Sequence, residues 1–298
     1  MSEAVAAGGV RPALAASRRG APAWRRAGSW LLVTPLVATM LALYALPVLA
    51  MLSRSVLDPA FTLAHYAALP QDAVFLKVFG NTLQTTVTVT LWTLILGYPV
   101  SLALARGNRL APVILLFILL PFWTSVLVRS YAWMVLLGRH GLVNEAMLAL
   151  GLIERPMRIL NTPLATGIAM VHILLPYMIL PVANSLRRID PALPRAAAGL
   201  GATPWGVFRQ VTLPLSMPGV AAGVLLVFVL ALGFYITPAL VGGPRDITLS
   251  MLIAQRVDQL HWAEAATLSA VLLATALAII AAFQRLFGVK AEFRVDGR

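Results

Sequence analysis

The residues able to do acid–base, nucleophilic or metal chemistry are few and scattered in this 298-residue chain. There is no cysteine, which removes thiol chemistry, disulfides and thiolate metal sites. The four histidines, His65, His140, His172 and His261, lie far apart, and none forms a His-x3-His or His-Glu-x-x-His pair. Paired carboxylates and Ser/Lys dyads are missing from the apolar stretches, so an intramembrane enzyme would lack its reagents. What stands out is a cation and a set of rings. Arg129 lies inside an apolar stretch, and an ionisable group at membrane depth marks a solute path by default. The alternative is that it snorkels to the outer interface, since it sits toward the outer end of that stretch. Trp123, Tyr131, Trp133, Tyr177, Phe234 and Tyr235 are candidates for an aromatic lining that holds a cation or an alkyl chain. For Tyr131 and Trp133 an interfacial aromatic belt is the simpler reading. Asn184 is either pore-facing or at the inner interface. No carboxylate lies mid-stretch. Glu264, at the start of the last stretch, is the nearest, so a dication would depend on rings, on carbonyls at broken helices, or on acids of another chain.

The elements that must position these residues are apolar and long. Hydrophobic residues make up 60% of the chain and charged ones 11%, against about 25% charged in an ordinary soluble domain. A soluble monomer has no way to bury so much apolar surface. Six stretches are long enough to cross a bilayer, near 30–52, 80–105, 111–137, 164–186, 217–240 and 263–287. Helices are the expected element, because open strands leave their backbones unsatisfied in lipid. The first stretch is too long for a signal-peptide core and reads as a retained anchor.

The net charge is +12, from 23 Lys and Arg against 11 Asp and Glu. Its distribution speaks for topology, not nucleic acid. With the N-terminus inside, 15 of the basic residues fall on the inner side and 7 on the outer, with Arg129 within the third span. Both termini are therefore expected in the cytoplasm, as a basic tail over 1–29 and a short tail over 289–298. Prolines punctuate the spans at 35, 47, 99, 121, 176, 181, 218 and 238. Each removes a backbone donor and tends to kink its helix, as the broken helices of transporters do.

The inner loop at 187–214 is far longer than the usual 2–8 residues between helices. Asp190-Pro191 and Thr203-Pro204 both read as a helix cap followed by proline in the first turn. Gly201 suits the left-handed residue that ends a helix. Two short cytoplasmic helices are expected, near 191–200 and 204–212, hinged at Gly201-Ala202. Ala196, Ala197, Ala198 and Gly199 give a small face that lets another backbone approach, with Trp205 and Phe208 as apolar anchors.

This loop resembles the EAA loop of ABC importer permeases, the inner-membrane components of binding-protein-dependent transport systems. Their pattern is Glu-Ala-Ala, three residues, Gly, nine residues, Ile-x-Leu-Pro. Ala196, Ala197, Gly201, Leu213 and Pro214 stand at the matching positions, and Val211 replaces the Ile. Arg195 stands where the family has Glu; the reversal affects any salt bridge made there, not the docking geometry. Pro121-Phe-Trp-Thr-Ser-Val-Leu-Val-Arg-Ser-Tyr-Ala-Trp-Met and Gly233-Phe-Tyr-Ile-Thr-Pro-Ala-Leu-Val-Gly-Gly-Pro244 are similar to the spermidine/putrescine, PotB-type subgroup.

The resemblance implies an all-α polytopic fold of the type I importer permease: six transmembrane helices, over 30–288, with a cytoplasmic two-helix coupling loop. It implies an inner-membrane subunit that works by alternating access on a small solute, a polyamine or else an opine- or amino-acid-like compound. A channel is the reading from another class, and it has no use for a docking loop. The implied partners are a second permease, two ATPase subunits and an extracytoplasmic solute-binding protein. The chain has no Gly-x4-Gly-Lys-Ser/Thr loop, so ATP and Mg are expected on the ATPase, with no cofactor on this chain.

Overall fold

The computed structural model describes residues 23–287 apart from Pro59 and Asn108, with side chains from Val33 to Leu286. Most of the expected tails, residues 1–22 and 288–298, lie outside the described residues. The rest of the N-terminal stretch is not a tail: α1 (Ala23–Leu57) already includes it. The chain up to Met51 is one unit and Leu52 onward a second.

The second unit holds α2 (Ala64–Ala68), α3 (Ala73–Ala105), α4 (Ala111–Leu119), α5 (Val126–Leu136), α6 (Leu142–Ala149) and α7 (Pro163–Arg187). There follow α8 (Ala192–Gly199), α9 (Pro204–Leu232), α10 (Ile236–Val241), α11 (Leu249–Asp258) and α12 (Trp262–Phe287). Five helices are long and apolar enough to cross a membrane: the Val33–Leu57 part of α1, α3, α7, α9 and α12. The bent α4–α5 pair makes a sixth if counted as one span.

The core lies where α3, α7 and α9 meet, around Val89, Met170, Leu174, Met178, Val182 and Val227. Lipid gives helices no hydrophobic reason to associate, so close approach has to supply it. Gly219 and Gly223, four apart on α9, provide that approach. A Cβ on Gly219 would lie 2.7 Å from the Pro181 carbonyl oxygen, and one on Gly223 2.8 Å from the Met178 sulfur. Polar groups tie the same helices. The Ser101 hydroxyl of α3 lies 2.7 Å from the Gly97 carbonyl of its own helix and 3.1 Å from the Ile179 carbonyl of α7.

The helices of the first two spans start before the expected limits, at Ala23 and Ala73, and two departures change the architecture. The third span is broken: a tight 3-10 turn at Leu120–Trp123 follows α4, and α5 sets off at 104° to it. Ser125 restarts the helix by accepting from the Leu127 N–H at 3.2 Å. The fifth span, expected at 217–240, runs instead from Pro204 to Leu232 and stops at Gly233. The second helix of the loop is therefore not a separate piece but the beginning of this span. Pro214 explains the join. Its ring crowds the carbonyl four residues earlier, and the chain widens into a π-turn at Phe208–Thr212, where the Leu213 N–H reaches back to the Phe208 carbonyl. Pro99, Pro176, Pro181 and Pro218 sit inside continuous helices, whereas the third span breaks after Pro121 and turns by 104°.

Candidate functional site

The loop between α7 and α9 is built by its caps. The Asp190 carboxylate accepts from the Ala192 N–H at 2.8 Å, and the Thr203 hydroxyl from the Gly206 N–H at 3.1 Å. α8 ends in a Schellman turn: Ala202 N–H donates to the Ala197 carbonyl at 3.1 Å, and Gly201 N–H to the Ala198 carbonyl at 3.0 Å. Gly201 has φ +88°, as this turn requires, and a Cβ there would meet no atom of the chain within 4 Å. The Arg187 guanidinium fastens the loop's root by donating to the Leu104 carbonyl at 3.3 Å.

The faces divide unevenly. Arg195, Ala196, Ala198 and Pro214 are exposed, while Ala197, Val211 and Leu213 are half-buried. Arg195 Nε donates to the Pro191 carbonyl at 3.0 Å within its own helix. Trp205 is 67% exposed, but Phe208 turns inward, edge-on to Tyr98 with ring centres 5.9 Å apart. The two loop rings also stack on each other at 5.2 Å. Phe208 thus roots the loop to α3 and presents little outward. The outward apolar residue that composition did not single out is Leu200, 90% exposed between Gly199 and Gly201. Its signal was a large aliphatic residue in a glycine-flanked loop.

The second group gathers at the break in the third span. Arg129 is within electrostatic reach of Tyr177 and His172, and its Nε is buried with no hydrogen-bond partner among the described residues. Phe122 packs on Tyr177 with centres 5.2 Å apart, and Trp133 Nε1 donates to His172 Nδ1 at 3.2 Å. Beneath them a buried Ser130–Thr237 hydroxyl pair, 2.8 Å apart, locks α5 to α10. So the structure brings Arg129 and Tyr177 together, and adds His172 and Phe122. Of the other ring candidates Trp133 joins the group through His172, and the rest do not form one lining with it. Trp123 is 80% exposed, and Tyr131 and Tyr235 are about half exposed. Phe234 packs against the core, as Tyr177 does. Asn184 lies toward the loop end of α7, in a cavity of about 620 Å³ shared with Arg188 and Asp190.

A third feature went unread in the sequence. α3 carries Asn81, Gln84, Thr85 and Thr88 at helical spacing, facing a cavity of about 320 Å³ closed by Asp246 and the start of α7. The signal was there, in the run Asn81-Thr-Leu-Gln-Thr-Thr-Val-Thr. A hydropathy average over a spanning window hides it.

Comparison with known proteins agrees with this architecture. The family profile of the binding-protein-dependent transport system inner membrane component matches residues 96–288. The spermidine/putrescine transport system permease protein PotB of Salmonella typhimurium is 38% identical over 194 residues, covering 65% of this chain and 67% of that protein. The Haemophilus influenzae protein of the same name is 34% identical over 226 residues, covering 76% and 78%. The crystal structure of a bacterial alginate ABC transporter, in complex with an alginate pentasaccharide-bound periplasmic protein, superposes with a TM-score of 0.72. It covers 88% of this chain and 96% of that one at 19% identity, a likeness of fold alone. With the loop, the helix order and these relatives in agreement, the chain belongs to the family of inner membrane components of binding-protein-dependent transport systems and is a permease subunit of an ABC importer, not an enzyme.

Proposed function

We propose that this permease moves a small polyamine, spermidine or putrescine, inward across the bacterial inner membrane. The observation that carries the solute class is the 38% identity with PotB over 194 residues. In this reading the chain pairs with a second permease. Two ATPase subunits, which hold the ATP and Mg, dock on the loop over 187–214, and an extracytoplasmic binding protein delivers the solute. Both termini and the loop face the cytoplasm, in keeping with the excess of Lys and Arg on that side.

The loop's construction supports a mechanical role. Leu200 and Trp205 offer apolar surface beside the small residues of α8, and α9 runs without interruption from Pro204 into the core at Val220 and Val227. A displacement of the docked end is thus carried along one helix to the α3–α7–α9 contact, with the π-turn at 208–212 as the yielding joint. ATP binding drives the change of access only through different affinity for the two arrangements. Arg129, Tyr177 and the rings beside them line the path in this reading.

The test is uptake of labelled spermidine and putrescine by the complete transporter in proteoliposomes, with its own binding protein and ATP inside. ATP-dependent uptake of either is expected. Uptake of neither, with the binding protein loaded by a solute that carries no amine, overturns the polyamine reading.

A further inference from the structure

We infer that the cavity between α3, the first turns of α7 and the turn at 242–248 is a loading site for an alkylammonium group, with Asp246 as its counter-ion. The inference rests on the polyamine reading and adds where one charged end of the solute is held.

The cavity measures about 320 Å³, within the range of small-molecule sites. Its polar wall is the face of α3 that carries Asn81, Gln84, Thr85 and Thr88, and Asp246 faces it from the turn. The Asn81 amide hydrogens are committed, donating to the Arg245 carbonyl at 2.9 Å and the Ile247 carbonyl at 3.5 Å. What Asn81 has left is its acceptor oxygen. The Asp246 carboxylate accepts one bond, from the Gly243 N–H to Oδ2 at 3.3 Å. A carboxylate has about four acceptor positions, so most of its capacity is unspent. No Lys, Arg or His lines the cavity, and among the described residues no cation pairs with Asp246. The one charge lining the site is therefore negative, and beside it stand the Asn81 amide oxygen and the oxygens of Gln84, Thr85 and Thr88, all able to accept. An ammonium, with three donors and no acceptor, is the complement. Val89, Pro163 and Leu164 supply apolar wall for the methylenes that follow it.

The position fits delivery. Gly167, at the cavity, precedes Arg187, at the root of the loop, by twenty residues of one helix, or about 30 Å. The cavity thus opens at the end of the bundle opposite the loop, where an importer receives its solute. Gly167 also gives a handle, because it lines the cavity and a Cβ built there meets nothing within 4 Å, so a larger side chain has room to start into that space.

The experiment uses the complete transporter in proteoliposomes, with labelled putrescine and spermidine as probes. Uptake is read against the ATP hydrolysis that the loaded binding protein stimulates. Asp246→Asn is expected to cut uptake per ATP at least tenfold with hydrolysis within twofold of the unaltered protein. Asp246→Glu should retain a third or more of uptake, and Gly167→Leu should lose it as Asp246→Asn does. Uptake by Asp246→Asn within twofold of the unaltered protein overturns the inference. So does a joint loss of assembly and hydrolysis in Asp246→Asn with normal uptake by Gly167→Leu, since the carboxylate then only holds its turn. If the unaltered transporter takes up neither amine, the polyamine reading falls first, and the ammonium site with it.

Discussion

Replacing Gly201 separates the two things a glycine in this loop can do. Its φ of +88° belongs to the left-handed region, and two backbone bonds of 3.0 and 3.1 Å close the turn around it. Because a Cβ would find no atom of this chain within 4 Å, the internal cost of Gly201→Ala is backbone strain alone. That cost is about 1–2 kcal/mol for one left-handed residue with a Cβ, or roughly a 5–30-fold change in an equilibrium that needs the turn. Asn enters this region with less strain, so Gly201→Asn should retain more function than Gly201→Ala. Gly201→Phe has the same strain as Ala but projects a ring into the open space. The assay is ATP hydrolysis stimulated by loaded binding protein, together with the amount of ATPase that co-purifies. The expected order is Gly, then Asn, then Ala, with Phe falling well below Ala, as the proposed docking of the ATPase at this point requires. If Phe equals Ala, nothing docks at that point. If Ala and Phe both match the unaltered protein, the turn has no part in coupling and the reasoning is refuted.

Three further outcomes are expected. Arg195→Glu should leave stimulated ATP hydrolysis within a few-fold, since Arg195 is exposed, bonds only within α8, and exposed charges are worth about 0–1 kcal/mol, whereas Ala196→Trp on the exposed small face should abolish it. A collapse with the first and not the second contradicts the docking account. Gly223→Leu should lower the melting temperature or abolish the membrane-inserted form, because its side chain must displace Met178, an overpacking worth about 1–3 kcal/mol or more; unchanged stability speaks against the α7–α9 contact. Single cysteines placed in this cysteine-free chain at 139–158 should label from outside intact cells and those at 195–205 only after permeabilisation, and the reverse pattern inverts the topology.

How far the sequence could be read follows from what each signal measures. Spanning stretches are legible because a bilayer demands a fixed length of apolar chain. Hydropathy does not distinguish one straight helix from two at an angle, so residues 111–137 read as a single span although Pro121 and the cap at Ser125 mark the 104° break. It also finds apolar chain, not helix: the limits 217–240 missed the polar start of α9 and ran through the stop at Gly233. Cap chemistry read better, since Asp190, Thr203 and Gly201 act through bonds within three residues of themselves. Caps still mark starts more firmly than ends. Thr203 gave the beginning of a helix correctly, and no residue before Gly233 told that it continues through Pro214 into the membrane.

The rings were harder for a reason particular to lipid. In a soluble protein an apolar side chain turned outward loses free energy, so helical periodicity reports which face is buried. In a bilayer the hydrocarbon and the protein interior are nearly equivalent for a ring, and periodicity loses that information. Trp123 and Tyr131 therefore look, in sequence, like Tyr177 and Phe234, yet the first two are largely outward and the second two pack against the core. Polar side chains retain the asymmetry, because hydrocarbon offers them no partner. The threonine- and amide-rich face of α3 and the hydroxyl pair of Ser130 and Thr237 are turned to protein or to a cavity for that reason. Within these spans, then, uncharged polar residues at helical spacing tell which face of a helix meets protein or a cavity better than the aromatic residues beside them, and the loading site proposed on α3 beside Asp246 is read from such a face.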